Sequence, residues 1–480
     1  MAIGRAGPSI KAAAAIAAGL ALASCATPKE KLAFSQVNAL VAERTNVPVV
    51  WHRDEASRAQ ADEVVRAILR KRVHADGAVR LAFLRNPSIQ ASLAAIGISE
   101  ADVAQAGRLK NPVISIERVA GNGILEIERQ ILFSVLSLFT IGPRTKIAKD
   151  QAERARYLAA LEIVQAAGTV RAAWVEAVAA RERLVVMKRI FESAKAAEDL
   201  AERMAVAGSM TEIDQAKVKV ALAEIAGQRG QLRAAAEIAR ERLIRAMGLW
   251  GKEVKFKLPW SLPRLPRRPR KFGDLERIAL TKRLDIRAAK REVDLLRKTL
   301  GLTKFTSVVS LLEVGANWNS EREREDGETR RADVYGFELE FAIPIFDPGD
   351  AKVSRAKWTY MQAVEKLKSQ AITARSEARE AFIGYRSAHD LARHYQRTIV
   401  PLRAKISEEE LLQYNGMLAS IFELLAATRQ HAQATLTALD ARRDFWLSDG
   451  RMDAVLLAGG GMAPGGGDVM VAEQGGDEEH

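Results

Sequence analysis

The chain has 480 residues, 48% of them hydrophobic, so it is long enough to bury a large core. It is only 6% aromatic and holds a single cysteine, which excludes a disulfide framework. The formal net charge is +13, but Lys and Arg alternate with Glu and Asp along helical stretches and the one dense basic cluster is proline-rich, which argues against a nucleic-acid surface.

In chain order, Arg5 and Lys11 precede an apolar run, Ala12 to Leu22, too short to span a bilayer, and Leu22-Ala23-Ser24-Cys25 closes it. This resembles a bacterial lipoprotein signal. The resemblance implies that residues 1–24 are removed and that Cys25, carrying fatty-acyl chains such as palmitate, becomes the N-terminus. An ordinary secretory signal with an incidental cysteine is the alternative. Ala26, where an Asp would direct retention, implies delivery to the outer membrane. Residues 25–60, with Pro28 and Pro48, read as an extended tether.

A first repeat spans 61–251. Helical character begins near Ala61, and Asn86-Pro87-Ser88 opens a further helix to about Leu109, with proline at a permitted early position. Val113 to Val119 and Ile124 to Leu138 read as two strands within 112–139, joined at the turn signal Gly121-Asn122-Gly123. Gly142-Pro143 is expected to end the second strand and launch a long helical hairpin, 143–247. Its first arm repeats apolar residues at helical spacing through Ile163, Val170, Trp174 and Val178, and would be roughly 90 Å long at 1.5 Å per residue. Val206-Ala207-Gly208 forms its tip, where Gly208 supplies a positive φ, and Ser209 or Thr211 caps the return helix.

Residues 252–272 form a basic, proline-rich connector, extended and stiff. The half of the chain after this connector repeats the half before it: Arg80 aligns with Arg277, Ala82 with Ala279, Ile89 with Ile286 and Ala91 with Ala288, and then Gly208 with Gly416 and Ile213 with Ile421. This second repeat, 273–457, places strands within 309–346 and a long hairpin over 351–457. The strand Tyr335 to Ile345 sets Tyr335, Phe337, Leu339, Phe341 and Ile343 on one face against Glu338 and Glu340 on the other. In Leu312 to Asn319, Leu312, Val314, Ala316 and Trp318 oppose Glu313, Gly315, Asn317 and Asn319. The charged stretch Ser320 to Arg331 is expected as a loop between the two. Pro401 predicts a kink in the first arm, and Asn415-Gly416-Met417 forms the second tip, with Gly416 or Asn415 ending the helix. The Gly-rich, acidic residues 458–480 are expected to be disordered; Met462, Met470 and His480 there are an incidental set of soft metal ligands.

The duplication, Asn86-Pro87, Asn111-Pro112, Phe341-Ala342-Ile343-Pro344-Ile345-Phe346-Asp347 and Tyr414-Asn415-Gly416-Met417, in this order, resemble the TolC-like outer membrane efflux proteins, and the Cys25 motif resembles their lipid-anchored branch. The resemblance implies a mostly α chain with a small membrane β part, and a homotrimer whose chains complete a 12-stranded β-barrel continued by an α-helical periplasmic tunnel. It implies a passive duct for small molecules such as drugs, metals or other toxic solutes. The partners implied are a periplasmic adaptor at the tips Val206, Ala207, Gly208, Asn415, Gly416 and Met417, an inner-membrane pump, and outer membrane lipid around Tyr335 to Ile343. In several such proteins aspartates follow the second tip and narrow the entrance; here Phe422 and Leu425 occupy those positions, with Glu423 adjacent and Asp214 in the first hairpin, so the candidate constriction is Asp214, Phe422 and Glu423. The six histidines show no metal-ligand spacing, and neither a phosphate loop nor a nucleophile elbow is present, so no cofactor, metal site or enzymatic activity is expected. The competing reading is a lipid-anchored periplasmic coiled-coil scaffold or adaptor whose strands form a small soluble domain.

Overall fold

A computed structural model describes residues 30–121, 124–308, 311–325 and 328–459. Cys25, the signal segment and the tail beyond 459 lie outside the described residues, as do Asn122 and Gly123 of the first strand turn.

The elements in order are α1 (Glu30–Thr45), α2 (Glu55–Leu69), α3 (Ala75–Arg85), α4 (Pro87–Ala106), β1 (Val113–Gly121), β2 (Ile124–Ser134), α5 (Val135–Val206) and α6 (Glu212–Met247). A 3-10 turn at Gly251–Val254 comes next, then α7 (Leu275–Lys282), α8 (Leu284–Val308), β3 (Leu312–Glu325) and β4 (Glu328–Phe341). The chain closes with α9 (Asp350–His394), a π-helical segment (Tyr395–Ile399), α10 (Val400–Asn415) and α11 (Ile421–Leu457). The second half therefore replays the first: short helices, two strands, a long ascending helix, a tip and a long return. Equivalent positions are buried alike, Ala82 with Ala279 and Ile89 with Ile286. Ala91 and Ala288 are not, the first being exposed and the second buried.

Among the described residues two compact units are distinguished: residues 30–66, 80–164 and 280–373, and residues 67–79, 165–279 and 374–459. The first holds the sheet and the helices beside it. Residues 30–45 form a helix and not the expected extended tether, because Val37 and Val41 lie a turn apart and are fully buried. Buried Arg44 fixes the C-terminal end of α1 to α7 by donating to the Lys282 carbonyl oxygen at 2.8 Å, while Glu43 pairs with Lys282 at 2.9 Å. The early part of α5 is laced to α8 by ion pairs, Arg291 to Glu153 at 2.8 Å and Arg154 to Glu292 at 3.3 Å, and by the Lys298–Asp150 contact. Arg287 stacks over the Tyr157 ring, 4.6 Å from its centroid.

The sheet is antiparallel, ordered β1-β2-β3-β4. Pairing of Val314 with Leu339, Trp318 with Tyr335, and Phe133 with Val314 puts the large apolar side chains of adjacent strands on one face. Two boundaries differ from expectation. The β2 strand stops at Ser134, and residues 135–142 are already helical, so Pro143 lies inside α5 and does not start it. The run Val135-Leu136-Ser137-Leu138-Phe139 suits either structure by composition; the helix wins where Ser137, Thr140 and Thr145 return hydroxyl hydrogen bonds to the carbonyls of Ser134, Leu136 and Ile141. Likewise Ser320–Glu325 and Glu328–Asp333 continue the β3–β4 ladder where a loop was expected. Backbone pairing does not need apolar side chains, and charged ones suit a hairpin end in water.

The second unit contains both helical tips. Around α9 and α11, Ala378, Ala381, Met452, Val455 and Leu456 form one core with Ala279, and Tyr385, Ala392, Ala441 and Phe445 another. Alanine at the contacts lets the helices approach closely. The π-helical segment ends at Ile399, two residues before Pro401. A proline there lacks the N–H that would close the preceding turn, and the widened helix absorbs the mismatch.

Candidate functional site

Three features stand out as candidate sites: the exposed sheet face, the hairpin tips and the helices just past them.

The sheet is open, and its outer edges belong to β1 and β4. On its apolar face Phe337 is 95% exposed and Tyr335 78%, with Leu339, Phe341, Ile114, Ile116 and Phe133 also exposed. Ile343, expected on the same row, is exposed but lies beyond the end of β4. The other face carries Ser115, Glu117, Glu128, Gln130, Glu313, Asn317, Glu338 and Glu340, and the Gln130 amide donates to Glu338 across the intervening β3. Gly315 and Gly336 sit on this polar face among larger neighbours, where a Cβ would meet Leu132 and Asn317 respectively.

The two tips share one hydrogen-bond design. At the first, Ser209 N–H donates to Met204 O at 2.9 Å and Gly208 N–H to Ala205 O at 3.0 Å, with Gly208 at φ 72°. At the second, Leu418 N–H donates to Gln413 O at 2.9 Å and Met417 N–H to Tyr414 O at 3.0 Å, with Met417 at φ 59°. Both are Schellman endings. The left-handed residue of the second tip is thus Met417, whereas Gly416 has φ −81°, and the equivalent of Gly208 is Met417, not Gly416. The return helices obey the same corrected alignment, with Thr211 and Ser420 as N-caps accepting from the amides of Asp214 and Glu423. Val206 is 86% exposed and Met417 95%, and Leu418 and Ile213 are also exposed. Ala207 and Asn415 join them at the turns, and the Tyr414 hydroxyl lies 4.0 Å from the Met204 sulfur, which brings the two tips side by side.

Past the tips, α5, α6, α10 and α11 enclose an apolar cavity of about 440 Å³, lined by Ile190, Ala194, Val218, Ile225, Phe422 and Leu425. The three constriction candidates separate here. Asp214 accepts from Thr211 at 2.8 Å and from Lys217 at 2.9 Å, and the Lys217 ammonium sits 5.4 Å over the Phe422 ring, so Asp214, Lys217 and Phe422 are one group. Glu423 turns back onto its own helix start, accepting from Ser420 N–H at 2.7 Å in a capping box. Hydrogen bonds from Lys217 and Thr211 hold the Asp214 carboxyl below its ordinary range, and the Ser420 backbone amide does the same for Glu423.

What sequence reasoning missed is the anchoring of residues 252–272. Arg181 donates to Leu258 O at 2.7 Å and Arg240 to Phe256 O at 2.8 Å, while Glu182 accepts from Leu262 N–H at 3.1 Å and pairs with Arg442. Trp446 donates to Pro263 O, the Tyr385 hydroxyl accepts from Arg270 N–H at 2.8 Å, and fully buried His389 lies 3.1 Å from Pro266 O. The available signal was inward-outward alternation: Phe256, Leu258 and Leu262 are buried between exposed Lys255, Lys257, Trp260 and Arg264. No cluster of metal-ligating side chains occurs among the described residues.

The fold is thus a duplicated unit of two strands and a helical hairpin, with an amphipathic, open-edged sheet. Residues 275–448 match the family model of the outer membrane efflux proteins. Solved structures with the same fold include CusC, with a TM-score of 0.68 and 14% identity over 80% of this chain and 92% of that one. The open state of the Neisseria gonorrhoeae MtrE outer membrane channel gives a TM-score of 0.66 and 15% identity over 80% and 88%. The Campylobacter jejuni CmeC outer membrane channel gives 0.63 and 15% over 84% and 86%. No curated protein matches the chain. The resemblance to TolC-like outer membrane efflux proteins read from the sequence therefore holds for the family match and for the fold.

Proposed function

We propose that this protein is the outer membrane channel of a tripartite efflux system, a passive homotrimeric duct carrying small toxic solutes. The observation that carries the reading is the row Ile114, Ile116, Phe133, Tyr335, Phe337, Leu339 and Phe341, exposed on one face of a sheet whose opposite face is polar. A small soluble domain, as the scaffold alternative requires, would bury such a row. In a bilayer the row faces lipid, Glu338 and Glu340 face a water-filled lumen, and the free edges of β1 and β4 must pair with other copies because unpaired backbone groups are too costly in hydrocarbon. Three copies of four strands make twelve. Acylated Cys25 would tether the N-terminus to the same membrane.

The polar face and the apolar cavity perform no reaction, so transport is driven by the concentration the pump establishes. The adaptor would meet the paired tips, where Val206, Ala207, Gly208, Asn415, Gly416 and Met417 present small or exposed residues. Phe422, Lys217 and Asp214 would narrow the entrance with an aromatic and an ion pair in place of a ring of free carboxylates. The test is the pair Val206→Asp and Met417→Asp. Both side chains are exposed and aspartate tolerates the left-handed conformation, so the double variant should fold and reach the outer membrane. It should then fail to crosslink to its adaptor and fail to support export; normal export would remove the docking role from the tips.

A further inference from the structure

We propose that residues 252–271 form a docking strap for a carboxylate-bearing cell-wall polymer, a role that rests on the outer membrane channel reading. Lys252, Lys255, Lys257, Arg264, Arg267, Arg268 and Lys271 are exposed, and among the described residues no side-chain ion pair or hydrogen bond engages them. Arg270 is the exception, pairing with Asp449 at 2.6 Å and Asp453 at 3.0 Å. Such a density of uncompensated charge costs self-repulsion and attracts a polyanion.

The strap is held rigid while its charges stay free. Apart from the Arg270 ion pairs, its backbone takes the anchoring bonds: Leu258 O accepts from Arg72 at 2.8 Å and from Arg181 at 2.7 Å, Val254 O from Arg240 at 2.9 Å, and Leu262 N–H donates to Glu182 at 3.1 Å. The arginine anchors add positive charge from beneath. Arg72 and Arg181 lie 4.5 Å and 4.2 Å from the Trp260 ring centroid, and neither has a carboxylate partner among the described residues. Burial first, and then the charges of Arg72 and Arg240, disfavour the charge on Arg181.

The form of the array selects the occupant. A folded protein partner needs an apolar core to its interface, but the strap turns Phe256, Leu258 and Leu262 inward and shows Trp260 outward. Beyond Lys252, which lies in the 3-10 turn, its cations run along an extended segment, and none of them lines a cavity found among the described residues, which fits a repeating, linear polyanion. Within the same unit, Arg181 is about 37 Å from Val206 along α5 at 1.5 Å per residue, so the strap is separate from the tips. Peptide stems of the cell wall supply closely spaced free carboxylates for it.

The experiment is co-sedimentation of the purified full-length protein with purified peptidoglycan sacculi. The wild type should pellet at low ionic strength and be released by high salt. The variant Lys255→Gln, Arg264→Gln, Arg267→Gln, Arg268→Gln changes only exposed, unbonded side chains and should bind roughly tenfold more weakly or worse. Sacculi whose carboxylates have been amidated should lose the wild type equally. Equal pelleting of variant and wild type, or retention on amidated sacculi, overturns the proposal, as does wild type that ignores sacculi and is retained only by an acidic folded protein. Channel recordings on the same preparation judge the channel reading separately, since co-sedimentation reports on the strap whichever way they fall.

Discussion

Met417 shows how a tip can be specified by position and not by residue type. Its φ of 59° costs a side chain what Gly208 avoids at 72°, because a Cβ crowds the following carbonyl in the left-handed region. Gly208→Ala should therefore lower stability by about 1–2 kcal/mol, and Met417→Gly should raise it by about 1 kcal/mol. Gly416→Ala should be close to neutral, since a Cβ there meets the carbonyls of Gln413 and Leu412 at an ordinary 3.5 Å. Thermal unfolding followed by circular dichroism distinguishes this order from one in which Gly416 is the turn residue. The nearby glycine is what misdirects sequence reading: the Schellman pattern is fixed by backbone hydrogen bonds that composition does not display.

The carboxylates past the tips add a pH dependence at the same scale. Asp214 and Glu423 have folded values below their ordinary ones, 3.8 and 4.5. A lowered folded value means that the support these groups give is complete above the ordinary carboxylate range and is lost as pH falls through the folded value. Amide exchange at the starts of α6 and α11 should therefore accelerate, relative to the helix interiors, as pH falls below about 4. Asp214→Asn with Glu423→Gln should abolish that differential; its persistence would place the titrating groups elsewhere.

Among the elements, the strands were the most legible. Alternation from Leu312 to Asn319 and from Tyr335 to Phe341 has a single period, and register forces both apolar rows to one face. The strand ends were not legible, because Val135 to Ile141 satisfies either period and because the ladder between Ser320–Glu325 and Glu328–Asp333 depends on backbone pairing. The exposed apolar row gives a direct contrast. Leu339→Arg should cost on the order of 2–4 kcal/mol if that side chain lies at the bilayer midplane. Glu338→Gln, on the polar face beside Gln130, should leave assembly intact. Yield of folded protein from outer membranes compares them, and equal yields would contradict the assigned faces.

The strap was half legible: its extension stems from its prolines, but its anchors lie far away in sequence. Tyr385→Phe would leave the Arg270 amide without its acceptor, at a cost of about 1–3 kcal/mol. Trypsin should then cut faster after Arg270 and Lys271 than in the wild type. Unchanged cleavage would show that the remaining anchors suffice.

At the scale of the molecule, duplication explains how one short motif produces both a sheet and two long hairpins. Each half contributes two strands and one hairpin, and the two strand pairs join through β2 and β3 into one sheet. The same order was visible in the sequence from Asn86-Pro87 onward; the helical character of residues 30–45 was not, because Pro28 and Pro48 bracket a segment whose burial depends on α4 and α7. The central claim is that the open sheet closes with two further copies into a water-filled barrel. Single-channel recording of the full-length protein purified from outer membranes tests it most directly. The account predicts discrete, ohmic conductance steps from a trimer, lost when heating dissociates it; a stable monomer, or a trimer that never conducts even after opening mutations at Phe422, would contradict it.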